Sequence, residues 1–229
     1  ILSVDMQMQK VLVTGGRGQL GTAVTRCLVD DFDCVAKSSA EFDLTKAEHC
    51  IARLDEIMPD VVVNCAAYTA VDKAEEDAER AFKVNAEAPA MLAKWCAEHD
   101  KYLLHVSTDY VFAGDKPLFE AYREDETTSP LSVYGQSKLL GEQNINAALS
   151  DRYAILRTAW LYGSEGSNFL KTMLRIAPLS ATKEIKVVDD QFGSPTSADS
   201  LARQIRAVIE ARAEGVFHAT SHGYCSWFD

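Results

Sequence analysis

The chain has 229 residues, 47% of them apolar, with 34 acidic against 23 basic side chains and a formal net charge of −11. That apolar share supports a buried core and excludes a disordered chain, and the length fits one large α/β domain or one domain with a small appendage. An acidic balance without a basic run argues against a nucleic-acid partner, because nothing in it would displace counterions from a phosphate backbone.

No apolar run approaches the ~18 residues of a membrane helix. The opening Ile1-Leu2-Ser3-Val4-Asp5 lacks the basic start and long apolar stretch of a signal peptide, so a cytoplasmic protein with no membrane partner is expected. Those five residues precede Met6 and Met8, as added residues or an upstream extension would. The six cysteines (Cys27, Cys34, Cys50, Cys65, Cys96, Cys225) form no Cys-x-x-Cys pair and read as reduced thiols rather than disulfides or zinc ligands.

In chain order, Lys10-Val11-Leu12-Val13-Thr14 reads as a buried strand, and Leu20, Val24 and Leu28 give the next segment one apolar helical face. A weaker strand is predicted at 33–36. Thr45 and Glu48 have the spacing of a capping box for a helix ending near Met58-Pro59. A third strand at 61–64, a helix over 85–99 and a fourth strand at 102–107 follow. Ser129 as cap and Pro130 as first residue are expected to open a helix over 131–148, before a strand at 153–157. Beyond about residue 160 the pattern is less regular, with short strands expected at 185–188 and 216–218. The alternation predicts an α/β fold, a Rossmann-type doubly wound parallel sheet. Residues 8–160 would form its dinucleotide-binding part, and 161–229 a smaller substrate-binding region interleaved with it. The chain stops at Ser226-Trp227-Phe228-Asp229, where an apolar helix would begin, so a truncated C-terminal region is expected.

Two motifs carry chemistry. Thr14-Gly15-Gly16-Arg17-Gly18-Gln19-Leu20-Gly21 follows a strand and opens a helix. Glycines let the backbone turn tightly and approach a pyrophosphate, whose charge meets the helix N-terminus. After the second strand, Val35-Ala36-Lys37-Ser38-Ser39 has no carboxylate before Glu41. Lys37, the serines and Arg17 could accept a 2′-phosphate, which favours NADPH and leaves NADH open. The second motif, Tyr134-Gly135-Gln136-Ser137-Lys138, puts phenol and ammonium on one helical face, where the cation is expected to draw the tyrosine pKa down from ~10. With Ser107-Thr108 at a strand end it forms a three-part site at the carboxyl edge of the sheet.

These motifs, with strand-end Asn64-Cys65-Ala66-Ala67-Tyr68, resemble the extended short-chain dehydrogenases. More narrowly, five segments resemble the dTDP-4-dehydrorhamnose reductase family from about Met8 to the end. They are Gly18-Gln19-Leu20-Gly21, Ala66–Glu75, Ser107-Thr108-Asp109-Tyr110-Val111-Phe112, Arg157-Thr158-Ala159-Trp160-Leu161-Tyr162 and Asp190-Gln191-Phe192-Gly193-Ser194-Pro195-Thr196.

The resemblance implies a cofactor lying over Gly15, Gly18, Gln19 and Leu20. Adenine-side contacts would come from Asp43 and Leu44, and nicotinamide-side contacts from Ala66, Ala67 and Tyr68, with Ser107 also on the cofactor. It implies Thr108, Tyr134 and Lys138 as the catalytic set, the last two also touching the cofactor. Val71, Thr108, Asp109, Tyr134, Trp160, Asn168, Gln191 and Pro195 would face the sugar nucleotide, although Trp160 could equally be core. The implied reaction reduces dTDP-4-dehydro-β-L-rhamnose by hydride transfer from NADPH. Family chains continue past Asp229.

Sugar-nucleotide dehydratases share the fold but carry Asp-Glu after the strand-end Thr, whereas Thr108 here precedes Asp109-Tyr110. Epimerases retain tightly bound NAD. The regulatory subunit of methionine adenosyltransferase also resembles this family and works without catalysis. The sequence leaves open a Mg2+ requirement: Asp189-Asp190 could bind a cation, although two adjacent carboxylates on a loop are usually only solvated. It also leaves open the choice between monomer and homodimer.

Overall fold

The computed structural model describes residues 8–118, 120–178 and 184–229; residues 1–5, read above as lacking a signal peptide, lie outside them. Strand β1 (Lys10–Thr14) leads through the glycine turn into α1 (Gln19–Leu28), then β2 (Asp33–Lys37), α2 (Ala47–Ile57) and β3 (Val61–Asn64). Two short helices, α3 (Val71–Ala74) and α4 (Ala78–Phe82), precede a π turn at Lys83–Glu87 and α5 (Ala88–Glu98). Next come β4 (Tyr102–Thr108), a 3-10 turn at Asp109–Val111, α6 (Val133–Ala148) and β5 (Tyr153–Thr158). The remainder holds β6 (Leu161–Tyr162), α7 (Phe169–Ile176), β7 (Phe192–Gly193), β8 (Thr196–Ser197), α8 (Ala198–Ala211), β9 (Gly215–His218) and β10 (Cys225–Ser226).

Six strands form one parallel sheet in the order β2-β1-β3-β4-β5-β9. Strands buried on both faces read as continuous apolar runs, and their alternate residues feed two cores. Val11, Val13, Val61, Val63, Leu104 and Leu156 pack with α1 and α8. Leu12, Val62, Leu103 and Ile155 pack with α2, α5 and the end of α6. The chain reverses its direction of strand addition at β1, so the crevice between the carboxyl ends of β1 and β3 is where a ligand binds in such a sheet. The tail contributes to the same body, because β9 is an edge strand of the sheet and α8 covers its face.

Four sequence expectations fail locally. Thr45 spends its hydroxyl and amide on Asp43 (2.7 and 3.1 Å), so no capping box forms and α2 begins at Ala47. Ser132, not Ser129, caps α6 by accepting from Gly135 N at 3.1 Å; the first turn starts where a serine can meet a free amide. The helix expected over 85–99 starts earlier, as α4, and bulges through the π turn. Residues 185–188 form no strand; the short pairs are β6 with β8 and β7 with β10.

All six cysteines are unpaired; Cys50 and Cys96 are buried and the other four half-buried. No helix among the described residues is long and apolar enough to cross a membrane.

Candidate functional site at the carboxyl edge of the sheet

The glycine turn is packed too closely for side chains. Gly15 has φ +66°, and a Cβ there would lie 3.0 Å from the Cα and N of Ala66. A Cβ on Gly21 would lie 2.2 Å from Gly15 O. Gly18 caps α1 with no side-chain acceptor, and the first turn of α1 carries no acidic residue. Its leading amides are therefore left for an anion, which the helix dipole favours. A cradle that excludes Cβ atoms, beside small Ala66 and Ala67, fits a dinucleotide pyrophosphate.

Gln19 and Asn168, expected to serve two different ligands, hold each other. Gln19 accepts from Asn168 Nδ2 at 2.7 Å and donates to Leu161 O at 3.0 Å. Asn168 also donates to Gly163 O (2.9 Å) and caps α7 by accepting from Lys171 N (3.0 Å). Its amide is thus engaged on every side and acts as a clamp between the glycine turn and the tail.

At the end of β2, Lys37 O accepts from Gly16 N (2.8 Å) and ties the two turns together. Lys37 Nζ lies 3.7 Å from Glu41, whose carboxylate folds back to accept from Ser38 N (3.1 Å) and Ser38 Oγ (2.6 Å). Those Ser38 hydrogen bonds hold Glu41 below the usual carboxylate range, with Lys37 and Arg17 adding to the effect. The acid placed too late by sequence therefore returns to the strand end beside Lys37, while Arg17 stays exposed. Asp43 is engaged by Thr45, and the Leu44 side chain belongs to the core under α2.

Tyr134 is buried on α6 against Tyr68, Val71, Ala74 and Ala81, with Tyr110 edge-on at 5.5 Å. Burial pushes its phenol up to about 12, and the neighbouring Thr108 hydroxyl pulls the other way. Thr108 donates to Asp109 Oδ1 (3.0 Å) and accepts from Tyr110 N (3.2 Å). Burial in turn pushes Asp109 up to about 6.

The expected lowering of the phenol by Lys138 is not what the structure shows. The ammonium turns under the sheet edge to Val106 O (2.7 Å) and His105 Nε2 (3.2 Å), and burial brings it down to about 8. Desolvation outweighs the charge that helical spacing alone suggests. At about 12 the phenol keeps its proton through the neutral range, so it can act there as a donor and not as a base.

Ser107 is buried at the end of β4. Its hydroxyl donates to Glu142 Oε1 at 2.5 Å, and Glu142 receives Arg157 Nη2 at 2.7 Å, both charges being buried.

Asn85, within the π turn, is the residue that sequence reasoning missed. It is buried and holds Tyr68 from both sides, accepting from Tyr68 N (2.8 Å) and donating to Tyr68 O (3.0 Å). It also donates to Ser137 Oγ (3.0 Å), so one amide fixes the loop after β3 against the Tyr134 helix. An extra-residue helical turn is a frequent sign of function, but it leaves no mark in apolar periodicity.

On the tail, Trp160 has φ +45° and stacks on Trp227 with ring centroids 3.7 Å apart. Its indole fills the place a Cβ on Gly193 would take, 2.4 Å from Cε2, and Trp160 O accepts from Thr196 N at 3.3 Å. Trp160 and the 191–196 loop are therefore one cluster, with Gln191 exposed and Pro195 half-buried on it. Among the described residues no group of three or more His, Cys, Asp or Glu could hold a metal ion.

Comparison with known proteins agrees with this geometry. Residues 8–229 match the family model described as the RmlD substrate binding domain. A dTDP-4-dehydrorhamnose reductase of Mycolicibacterium smegmatis is 42% identical over 99% of this chain and 68% of its own length. A probable dTDP-4,6-dihydroxy-2-methyloxan-3-one 4-ketoreductase of Streptomyces antibioticus is 43% identical over 95% of this chain and 73% of its own. The crystal structure of dTDP-4-dehydrorhamnose reductase from Bacillus anthracis in complex with NADP superposes with a TM-score of 0.90 at 38% identity, covering 96% of this chain and 78% of that one. A Cβ-excluding glycine cradle, a buried tyrosine beside a strand-end threonine and a family match across residues 8–229 place this chain in the RmlD substrate binding domain family.

Proposed function

We propose that this chain reduces dTDP-4-dehydro-β-L-rhamnose to dTDP-β-L-rhamnose, a precursor of cell-surface polysaccharide, with NADPH as the preferred cofactor and NADH as a second. The observation that carries this reading is the buried Tyr134 beside Thr108, on the same strand edge as the cradle of Gly15, Gly18 and Ala66. Relatives that are reductases of dTDP-linked keto sugars, one of them solved with NADP, support the cofactor and substrate class. The compartment proposed is the cytoplasm. Residues 8–160 are assigned to the cofactor and 161–229 mainly to the sugar nucleotide.

When bound, NADPH supplies the hydride for the sugar carbonyl. The remaining work belongs to this chain. The amides opening α1 would bind the pyrophosphate, with Lys37 and Arg17 beside Glu41 at the 2′ end of the cofactor. Tyr134 holds the proton at Oη and gives it to the carbonyl oxygen as negative charge develops there. Thr108 hydrogen-bonds Asp109 and sits beside the phenol, whose pKa it lowers; with substrate bound its hydroxyl would turn to the carbonyl oxygen and help polarise it. Asp109 and Val71 border the same space, and the Trp160–Trp227 stack walls the sugar side.

The test is NADPH consumption on addition of dTDP-4-dehydrorhamnose, with the product's configuration at C4 determined. Stoichiometric oxidation to the rhamnosyl nucleotide is expected; NADPH binding with no oxidation would refute the reading. The Streptomyces antibioticus relative, at 43% identity, favours a second reading in which another dTDP-4-keto sugar is the substrate, and a different C4 product would identify it.

A further inference from the structure

Thr14, Asn64, His105 and Lys138 form an unbroken line of polar side chains beneath the sheet edge, each at most 1% exposed. Thr14 Oγ1 lies 2.6 Å from Asn64 Oδ1, Asn64 Nδ2 lies 3.0 Å from His105 Nδ1, and His105 Nε2 lies 3.2 Å from Lys138 Nζ. The line crosses β1, β3 and β4 and ends on α6. Its first member immediately precedes Gly15.

Proton counting fixes the chemistry of this line. An ammonium has three donors and no acceptor, so His105 Nε2 must accept. Burial, with the Lys138 cation adding to it, holds the imidazole well below its usual range, and it is therefore neutral. A neutral ring that accepts at Nε2 carries its hydrogen on Nδ1. Asn64 must then offer its oxygen to Nδ1 and its NH2 to Thr14. As placed, Asn64 Oδ1 accepts from Thr14 and its NH2 faces His105 Nδ1; a half-turn of the amide, whose two ends are exchangeable, gives the required sense, with Thr14 Oγ1 then accepting from Asn64 Nδ2. The opposite tautomer would aim an N–H at a cation in a dry interior.

We propose that His105 is a positioning residue for the reaction: as the Nδ1–H tautomer, oriented by Asn64, it accepts a hydrogen bond from Lys138 and holds the ammonium under the carboxyl edge of the sheet. The other titratable groups around Lys138 are Cys65 after β3 and Glu142 one turn further along α6, the latter paired with Arg157 of β5. His105 is the uncharged acceptor among them. It lets the lysine keep its proton without a carboxylate that would pull the side chain away from the cofactor. The inference rests on the proposed reductase reading for its kinetic consequences but not for its tautomer.

Two measurements test it. In the wild-type chain labelled with 15N-histidine, NMR should show His105 protonated at Nδ1 and bare at Nε2 from about pH 5 to 7, the range in which Lys138 keeps its proton. An Nε2–H tautomer, or a charged ring near neutrality, overturns the proposal. In kinetics, His105→Phe should raise the NADPH KM about tenfold and move the alkaline limb of kcat/KM down by about one pH unit. His105→Gln, whose Oε1 can reach the place of Nε2, should restore both. A wild-type profile in the phenylalanine variant, or equal shifts in both variants, overturns the assignment. If the phenylalanine variant does not fold, the NMR result decides alone. A wild-type chain that oxidises no NADPH refutes the reductase reading while leaving the tautomer measurement intact.

Discussion

The edge formed by β1, β3, β4 and α6 and the tail after β5 are held by different physics. On the first, buried polar side chains are each paired: Asn85 on Tyr68, Thr14 on Asn64, Lys138 on His105, Glu142 on Arg157. On the tail, two-residue strands and stacked aromatics carry the structure, and Leu174, Phe228 and Leu170 are 66%, 69% and 49% exposed. Positions that must hold a common cofactor and a proton donor sit in the rigid half. Of the positions assigned to the sugar, Val71, Thr108, Asp109 and Tyr134 lie on that same edge, whereas Trp160, Gln191 and Pro195 rest on the aromatic tail cluster, which suits a family whose relatives are named for different dTDP-linked sugars.

The contrast predicts unequal responses to substitution. Glu142→Leu should cost most, about 3–5 kcal/mol in urea unfolding, because it strands the Arg157 guanidinium in the core. A loss below about 1 kcal/mol would show that this pair does not anchor the edge. Asn85→Ala should cost about 2 kcal/mol and weaken NADPH binding together with stability, since it frees both sides of Tyr68 and removes the hydrogen bond that Ser137 Oγ accepts. Unchanged NADPH affinity would separate the π turn from the site. Trp227→Ala should cost only about 1 kcal/mol and raise the sugar-nucleotide KM while leaving the NADPH KM alone. An equal change in both constants would erase the distinction between the two regions.

How far the sequence was legible follows the same division. Buried parallel strands announce themselves as apolar runs, so β1, β3, β4 and β5 were readable to within about a residue. The glycine turn and the Tyr-Lys spacing placed their residues on the correct edge. Local alternatives decided by one hydrogen bond were not readable: Thr45 chooses Asp43 over a helix cap, and Ser132 replaces Ser129. Long-range partners were invisible for the same reason. Spacing puts Lys138 on the face of Tyr134, but only the fold shows that His105 and Val106 O hold its ammonium. In the tail, Trp160 could be read as core or pocket; its stack on Trp227 needs contacts 67 positions apart that no periodicity encodes.

The account depends on the Tyr134 hydroxyl as the source of the proton. Its most direct test is Tyr134→Phe, measured for NADPH affinity by fluorescence titration and for turnover with dTDP-4-dehydrorhamnose in the same preparation. NADPH affinity within about twofold of wild type, with turnover reduced about a thousandfold or more, is the predicted result. Turnover near the wild-type rate would contradict it.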